Sequence, residues 1–321
     1  MRRRAERIPT GTAHTLPSPF VGPLTDNSRL VSMICEILDL PAHDVRNLLR
    51  AEELSLGAQQ RSDADRLGLR PGLWTPALVE FYRDTRMGLV GNPVWNRRSA
   101  KIRMREWIGR HLSKAHRPSL DILTVGDGSG FDSLYLSQCG HRVTYSETSS
   151  SSRDFAKKMF ADEDAAIRVV EDFANEPYES HDVIVCLDVL EHIPDPPAFV
   201  EALVHRLRPG GALIVHAPFF FVGPLNPTHL ETNRTYSGDL GRLYKKNGLR
   251  LVDGRPWWDP IVLTKSGTSL IYESRLNTAV LLFTGLLLTL ARWWNWPHCL
   301  VATRLMQRHE PQWLRGLEET G

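Results

Sequence analysis

In LTVGDGSGFD, residues 123–132, an apolar run ends on three glycines spaced two apart, Gly126, Gly128 and Gly130. Glycines there let the backbone approach a ligand and take torsions barred to side chains. In an open parallel sheet, the turn from first strand to first helix is where ligands sit. Three further groups could do chemistry in such a crevice. Glu147 closes the run HRVTYSE, and a carboxylate at a strand end can accept from a pair of sugar hydroxyls. Asp188, Glu191 and His192 stand at i, i+3 and i+4. That spacing puts them on one face of a helical turn, where two carboxylates and an imidazole could hold a divalent cation. Finally, His192, His216 and His229 offer imidazoles whose ordinary range suits proton transfer near neutrality. His216 reads as a packing residue; His192 and His229 are the candidate catalytic bases.

The elements that must position these residues follow from periodicity. Apolar runs of strand length occur at 122–125, 143–145, 167–170, 183–187 and 213–217, alternating with helical segments at 134–137, 154–160 and 197–207. This alternation predicts a parallel sheet with helices on both faces. Residues 248–252 and 299–305 read as the last two strands. Upstream, helical spacing predicts helices after Asn27-Ser28, after Pro41, at 76–87 and at 94–113, with a polar loop over 55–72. The expected division is a disordered basic arm over 1–26, a helical cap over 27–118, an α/β domain over 119–310 and a tail over 311–321. An insertion over 260–297 carries an uncharged helix at 276–291.

The dinucleotide fingerprint GxGxxG fails in both registers, since its third glycine would fall on Phe131 or Ser133. The spacing Gly126-Asp127-Gly128-Ser129-Gly130 instead resembles motif I of class I S-adenosylmethionine-dependent methyltransferases. Glu147 after the second strand, Asp172 in VVEDF, the segment HDVIVCLDVLEHI and the turn RPGG at 208–211 are similar to that family's later motifs, in order. The resemblance implies a Rossmann-like, doubly wound, seven-stranded and mostly parallel sheet. It implies S-adenosylmethionine as cofactor, held by Gly126, Asp127, Gly128, Ser129, Gly130, Glu147, Asp172, Phe173 and Leu187. It also implies O-methylation of a small acceptor, lipid-like or a secondary metabolite. Thr124 stands where the family usually has an acid, a departure that leaves open an inactive, partner-subunit member. Asp127 is the residue that could substitute for that acid. The order D-x-x-E-H is similar to the metal-binding E-x-x-E-H of ubiquinone-biosynthetic and small-RNA methyltransferases. No metal is expected, and Asp188, Glu191 and His192 are the residues that would hold one.

The net charge of +2 gives no bulk attraction to nucleic acid, and nucleic acid is not expected as a partner. Cys35, Cys139, Cys186 and Cys299 form no metal or redox spacing and read as free thiols in the cytoplasm. The segment 94–117 carries eight Lys/Arg against Glu106 and reads as a solvated basic face. Phe81, Tyr82 and Trp95 could close a lid. The run LNTAVLLFTGLLLTLA is shorter than a bilayer span, but RWWNWP follows it. The segment 276–297 therefore reads as a lid, a homodimer contact or a peripheral membrane contact.

Overall fold

The computed structural model describes residues 15–84, 88–254 and 260–268, with 270, 282–283, 286, 290, 300, 303–304, 311–315 and 317. Most of the segment 276–297 and residues 1–14 of the basic arm lie outside the described residues. Strands β1 (Asp121–Val125), β2 (Arg142–Ser146), β3 (Arg168–Val170), β4 (His181–Leu187), β5 (Leu207–His216), β6 (Leu249–Gly254) and β7 (Ile261–Lys265) form one sheet. Their order is β3-β2-β1-β4-β5-β7-β6. The first five pair in parallel, and β7 runs antiparallel to both β5 and β6. The sheet is thus the Rossmann-like, doubly wound, mostly parallel one that the motifs imply. Strand β4, HDVIVCL, is buried along its whole length, as a central parallel strand covered on both faces must be.

Helices α7 (Phe131–Gln138), α8 (Ser150–Asp162) and α9 (Pro196–Arg206) make the crossovers. A cap precedes the sheet: α1 (Asn27–Leu38), α2 (Ala42–Leu54), α3 (Ala58–Arg66), α4 (Pro76–Asp84), α5 (Gly88–Arg97) and α6 (Ser99–Leu112). Its apolar residues are continuous with one face of the sheet, Leu30, Ile34, Leu49 and Val94 joining Phe131, Tyr145 and Val185 in a single core. The opposite face packs on α9 and α10 (Leu240–Leu243).

Six expectations need correction. The last strand is not 299–305 but Ile261–Lys265, inside the stretch read as an insertion; Leu300, Thr303 and Arg304 are helical. Ile261, Val262, Leu263 and Thr264 are all buried, and the strand pairs with β5 on one side and β6 on the other, so the seven strands among the described residues all precede the apolar run. The polar stretch 55–72 contains α3, and the single helix expected at 94–113 is two, broken at Arg98, which is extended (φ −65°, ψ 139°). The arm gives way to structure well before residue 26, since Val21 and Leu24 are buried. The tail is anchored too. Helix α11 (Pro311–Arg315) sets Trp313 against Phe20 and under the Arg97 guanidinium, 4.2 Å from the ring centre, and Leu317 is in the core. Lastly, the basic stretch is a solvated face only in part: Arg103, Arg110, Lys114 and Arg117 are exposed, the other four are not. Arg97, Arg98, Lys101 and Arg105 are all buried. Arg98 pairs with Glu53 (3.3 Å), Lys101 with Asp132 (2.9 Å) and Arg105 with Asp132 (2.8 Å).

At the amino-terminal edge of the sheet, Asp182 is buried and paired with Arg117 (2.6 Å) and Arg208 (2.7 Å) while accepting from the Asp121 amide (2.9 Å). Burial alone would raise its pKa; the amide and the two guanidinium groups outweigh it, so the pKa lies below the ordinary value. A depressed folded-state pKa gives stability that is present above the unfolded value and lost as the pH falls through the folded one. Asp182→Asn is therefore expected to lower the urea midpoint at pH 7 and to flatten the loss of stability below about pH 4. Urea melts across pH 2–7 measure both.

Candidate active site

The glycine loop is held from three sides. The Gly126 amide donates to the Ser146 carbonyl (2.9 Å), and the Ser129 amide donates to Asn92 Oδ1 of the cap (3.3 Å). The Gly128 amide donates to Glu147 Oε2 (3.0 Å). Gly128 has φ +58°, and a Cβ there would run into the Asn92 carboxamide. Gly130 starts α7 at φ +83°, where a Cβ would meet Phe160 Cζ at 2.7 Å and Ala156 Cβ at 3.0 Å. Glycine is thus required at both positions because side chains of the cap and of α8 pack directly on the loop backbone.

Asp127 turns away from that role. Its Oδ1 accepts from the Asp132 amide (3.2 Å), and its Oδ2 accepts from the Ser133 amide (2.7 Å) and hydroxyl (2.6 Å). The carboxylate caps α7, as an acid at a helix start should, and cannot stand in for the acid replaced by Thr124. Burial and the neighbouring Asp132 carboxylate raise its pKa. Thr124 itself is buried and shares a hydrogen bond with the Ser133 hydroxyl (2.7 Å), fixing β1 to α7.

Over this loop lies a cavity of about 400 Å³. One end is lined by Asn92, Gly128, Glu147, Ser149 and Ser152, the other by Tyr82, Trp95, His192, His216, Phe221 and His229. Phe81 also lines it, so all three of the expected lid aromatics face it. Glu147 keeps its orientation by accepting from the Ser149 amide (2.9 Å) as well as from Gly128, and burial raises its pKa. A carboxylate can accept from a pair of vicinal hydroxyls such as those of a ribose.

The other predicted cofactor residues are placed differently. Gly126, Asp127 and Leu187 line a smaller cavity of about 70 Å³, shared with Thr124 and Lys101. Asp172 is exposed and accepts from the Ala174 amide (2.8 Å), and Phe173 is buried against Phe199 with ring centres 5.1 Å apart. Neither lines the larger cavity. Ser129 is buried, and its hydroxyl has no hydrogen-bond partner among the described residues.

His192 and His229 meet edge to face, ring centres 4.7 Å apart. His192 Nδ1 lies 2.8 Å from the Tyr82 hydroxyl and 3.1 Å from the Thr228 carbonyl oxygen. Burial lowers both imidazole pKa values, that of His229 further because His192 adjoins it. The cation-binding set read from the sequence is not the one the fold assembles. Asp188 has φ +59° and leaves the strand in the left-handed region, so only Leu190–His192 forms a short helical turn. Its carboxylate swings back to His216 (2.6 Å) and Trp95 Nε1 (3.0 Å). Glu191, His192 and His229 instead place donor atoms within 4.8 Å of one another, a set that could share a divalent cation. Sequence spacing could not supply His229 to that set, nor His216 to Asp188, because each partnership spans a loop or a strand pair.

Residues 123–215 match the family model described as Methyltransferase domain. The ubiquinone biosynthesis O-methyltransferase of Xylella fastidiosa (strain M23) is 37% identical over 98 residues, covering 29% of this chain and 40% of that protein. Its counterpart in Xanthomonas campestris pv. campestris (strain B100) is 32% identical over 102 residues, covering 30% and 43%. The chain therefore spans less than half the length of these curated relatives. An S-adenosylmethionine-dependent methyltransferase structure from Clostridium acetobutylicum ATCC 824 covers 51% of this chain and 91% of its own at 14% identity and TM-score 0.41. That likeness adds nothing to the strand order.

Gly130→Ala is expected to cost about 2–4 kcal/mol, from a left-handed residue with a side chain and from overpacking against Phe160. Equilibrium urea unfolding checks it. The glycine loop, the acid closing β2, the strand order and the matched segment agree: the chain carries a methyltransferase domain of the S-adenosylmethionine-dependent, Rossmann-like class.

Proposed function

We propose that this protein transfers a methyl group from S-adenosylmethionine to an oxygen of a small, largely apolar acceptor. The observation that carries the reading is one cavity with Glu147 and the Gly128 backbone at one end and three histidines under aromatic walls at the other. When bound, S-adenosylmethionine supplies an electrophilic methyl carbon on a sulfonium, and the protein contributes position, water exclusion and proton management. Glu147 would accept from the ribose hydroxyls, with Gly128 and Ser129 alongside. Asn92, Trp95 and Tyr82 would close the cap over the reacting groups, and His192 and His229 would flank the acceptor. The only cation lining the cavity among the described residues is Arg61, whose guanidinium already donates to the Ser55 hydroxyl (2.7 Å) and the Leu56 carbonyl (2.9 Å). That argues for an uncharged acceptor over a phosphorylated one.

Calorimetry with S-adenosylmethionine and S-adenosylhomocysteine tests the reading. Wild-type protein is expected to bind both. Glu147→Ala is expected to bind about 10–100-fold more weakly, the loss of charge-assisted hydrogen bonds. Absence of binding by the wild type would leave the chain a partner subunit without cofactor. Mass spectrometry of cell extract incubated with isotopically labelled cofactor then identifies the acceptor.

A second reading, an enzyme working at a membrane surface on a polyprenyl or glycolipid acceptor, has its own observation. Leu282, Phe283, Leu286 and Leu290 are 73%, 50%, 54% and 49% exposed. Their spacing puts them along one side of a helix, and tryptophans and Arg292 follow, a pattern that suits the interface of a bilayer. Among the described residues no helix is long and apolar enough to cross one. Full-length protein is expected to float with anionic liposomes, and Leu282→Ser/Phe283→Ser/Leu286→Ser to remain in the soluble fraction. Equal flotation of the two removes this reading.

A further inference from the structure

Strands β4 and β5 are parallel neighbours in which Leu187 lies opposite His216. The next residue of β4, Asp188, therefore meets His216 at the carboxyl edge of the sheet, and the two are joined twice. The Asp188 amide donates to the His216 carbonyl (3.0 Å), and Asp188 Oδ1 takes His216 Nδ1 at 2.6 Å. The second carboxylate oxygen accepts from Trp95 Nε1 (3.0 Å) and faces Lys101 Nζ (3.5 Å). Lys101 is itself fixed by Asp132 at 2.9 Å. The carboxylate cannot rotate without breaking contacts to two cap helices, and its left-handed backbone is held by the same set. His216 is buried and lines the large cavity together with Glu147 and Gly128. The arrangement is a carboxylate-oriented imidazole opening on a cavity that has a nucleoside end.

Among the described residues neither of the other two histidines is hydrogen-bonded to a carboxylate; backbone groups of Thr228 and Phe221 hold their rings instead. His192 Nδ1 is shared by Tyr82 and Thr228, and Glu191 lies 3.8 Å from its Nε2, beyond hydrogen-bond distance. His229 Nδ1 is buried with no hydrogen-bond partner among the described residues. The matched family segment ends at residue 215, one residue before His216, which reads as a packing residue in the sequence.

Resting on the methyltransferase reading above, we propose that His216 is the catalytic base and Asp188 its positioning residue. With Nδ1–H donated to Asp188, Nε2 is the nitrogen whose lone pair takes the proton of the acceptor hydroxyl. As the acceptor oxygen bonds to the methyl carbon, the carbon–sulfur bond breaks and its electron pair stays on sulfur, leaving a thioether. The hydroxyl proton passes to Nε2, and the resulting imidazolium is balanced by Asp188. Lys101 and Trp95 keep that carboxylate ionised and aimed.

The test uses full-length protein and two ring-hydroxyl probes, catechol, which is protonated at neutral pH, and 4-nitrocatechol, which is already ionised. His216→Gln and Asp188→Asn are expected to bind S-adenosylhomocysteine within about threefold of wild type by calorimetry. His216→Gln is expected to slow methylation of catechol by about 10²–10⁴-fold, the range of general-base catalysis, while 4-nitrocatechol slows less than tenfold. Asp188→Asn is expected to give the same split at smaller size. Nitrogen-15 spectra of the imidazoles are expected to place the His216 proton on Nδ1 in wild type and to lose that preference in Asp188→Asn. Equal slowing of both probes assigns His216 a structural role and overturns the proposal. So does the proton resting on Nε2, or a wild type that methylates neither probe. Retained cofactor binding in that last case leaves the methyltransferase reading standing, whereas its loss removes both.

Discussion

A lysine sealed from water between two aspartates holds the cap to the carboxyl edge of the sheet. Lys101 belongs to α6, Asp132 to the first turn of α7 and Asp188 to the end of β4. Desolvating an ammonium and two carboxylates costs several kcal/mol per ion, and only close opposite charge and hydrogen bonding offset it. Asp132 meets that condition through Arg105 and Asp188 through Trp95, so each acid is held by more than one donor. The opposing charges raise the Lys101 pKa in spite of burial, and the lysine stays charged in the folded protein. Because its partners lie on either side of the glycine loop, the cap cannot shift over that loop without disturbing the charges beneath the histidines.

That network explains why a strongly basic helix sits in a protein with little net charge. Arg98, between α5 and α6, and Lys101 and Arg105 of α6 are internal counter-ions for acids placed by α2, by α7 and by the end of β4, while Arg103 and Arg110 stay exposed. The glycine loop depends on the same geometry, since Asn92, one helix turn from Trp95, reaches the Ser129 amide. The glycine loop and the histidine cluster are therefore positioned by a single face of the cap, and the cavity over them is bounded by side chains that also carry the packing.

Much of this was legible in the sequence, for physical reasons that also set the boundary of what was not. Buried parallel strands must be continuously apolar, so β1, β2, β4 and β5 announced themselves, and glycines at a strand end marked the loop. Glu147 was found because a strand terminus fixes where its side chain can be. Strand β7 was missed because its apolar stretch, Ile261-Val262-Leu263, is short and lies close to a sixteen-residue apolar run that drew the assignment downstream. Burial of the basic helix was missed because charge in a sequence does not reveal its partner, and Glu53, Asp132 and Asp188 lie far along the chain from it. The helical-turn argument for Asp188 failed on one torsion: a left-handed residue sends its carboxylate across to the neighbouring strand. Asp172 and Phe173 matched a motif by position, yet one ended as an exposed turn cap and the other as core.

The clamp on Trp313 has a kinetic meaning. Asn27 Nδ2 donates to the Trp313 carbonyl (3.0 Å) across a separation of 286 residues, and Arg97 lies over the same indole. Closing so long a loop is entropically expensive and contributes late, since local helix pairs and the parallel strands between them form over shorter distances. The first helix can thus dock early through Leu30 and Ile34, but its outer edge is sealed only when the far end of the chain arrives. Until then the indole and the apolar surface it covers face solvent together, which makes this seam the place where a half-folded molecule would meet a chaperone or another copy of itself.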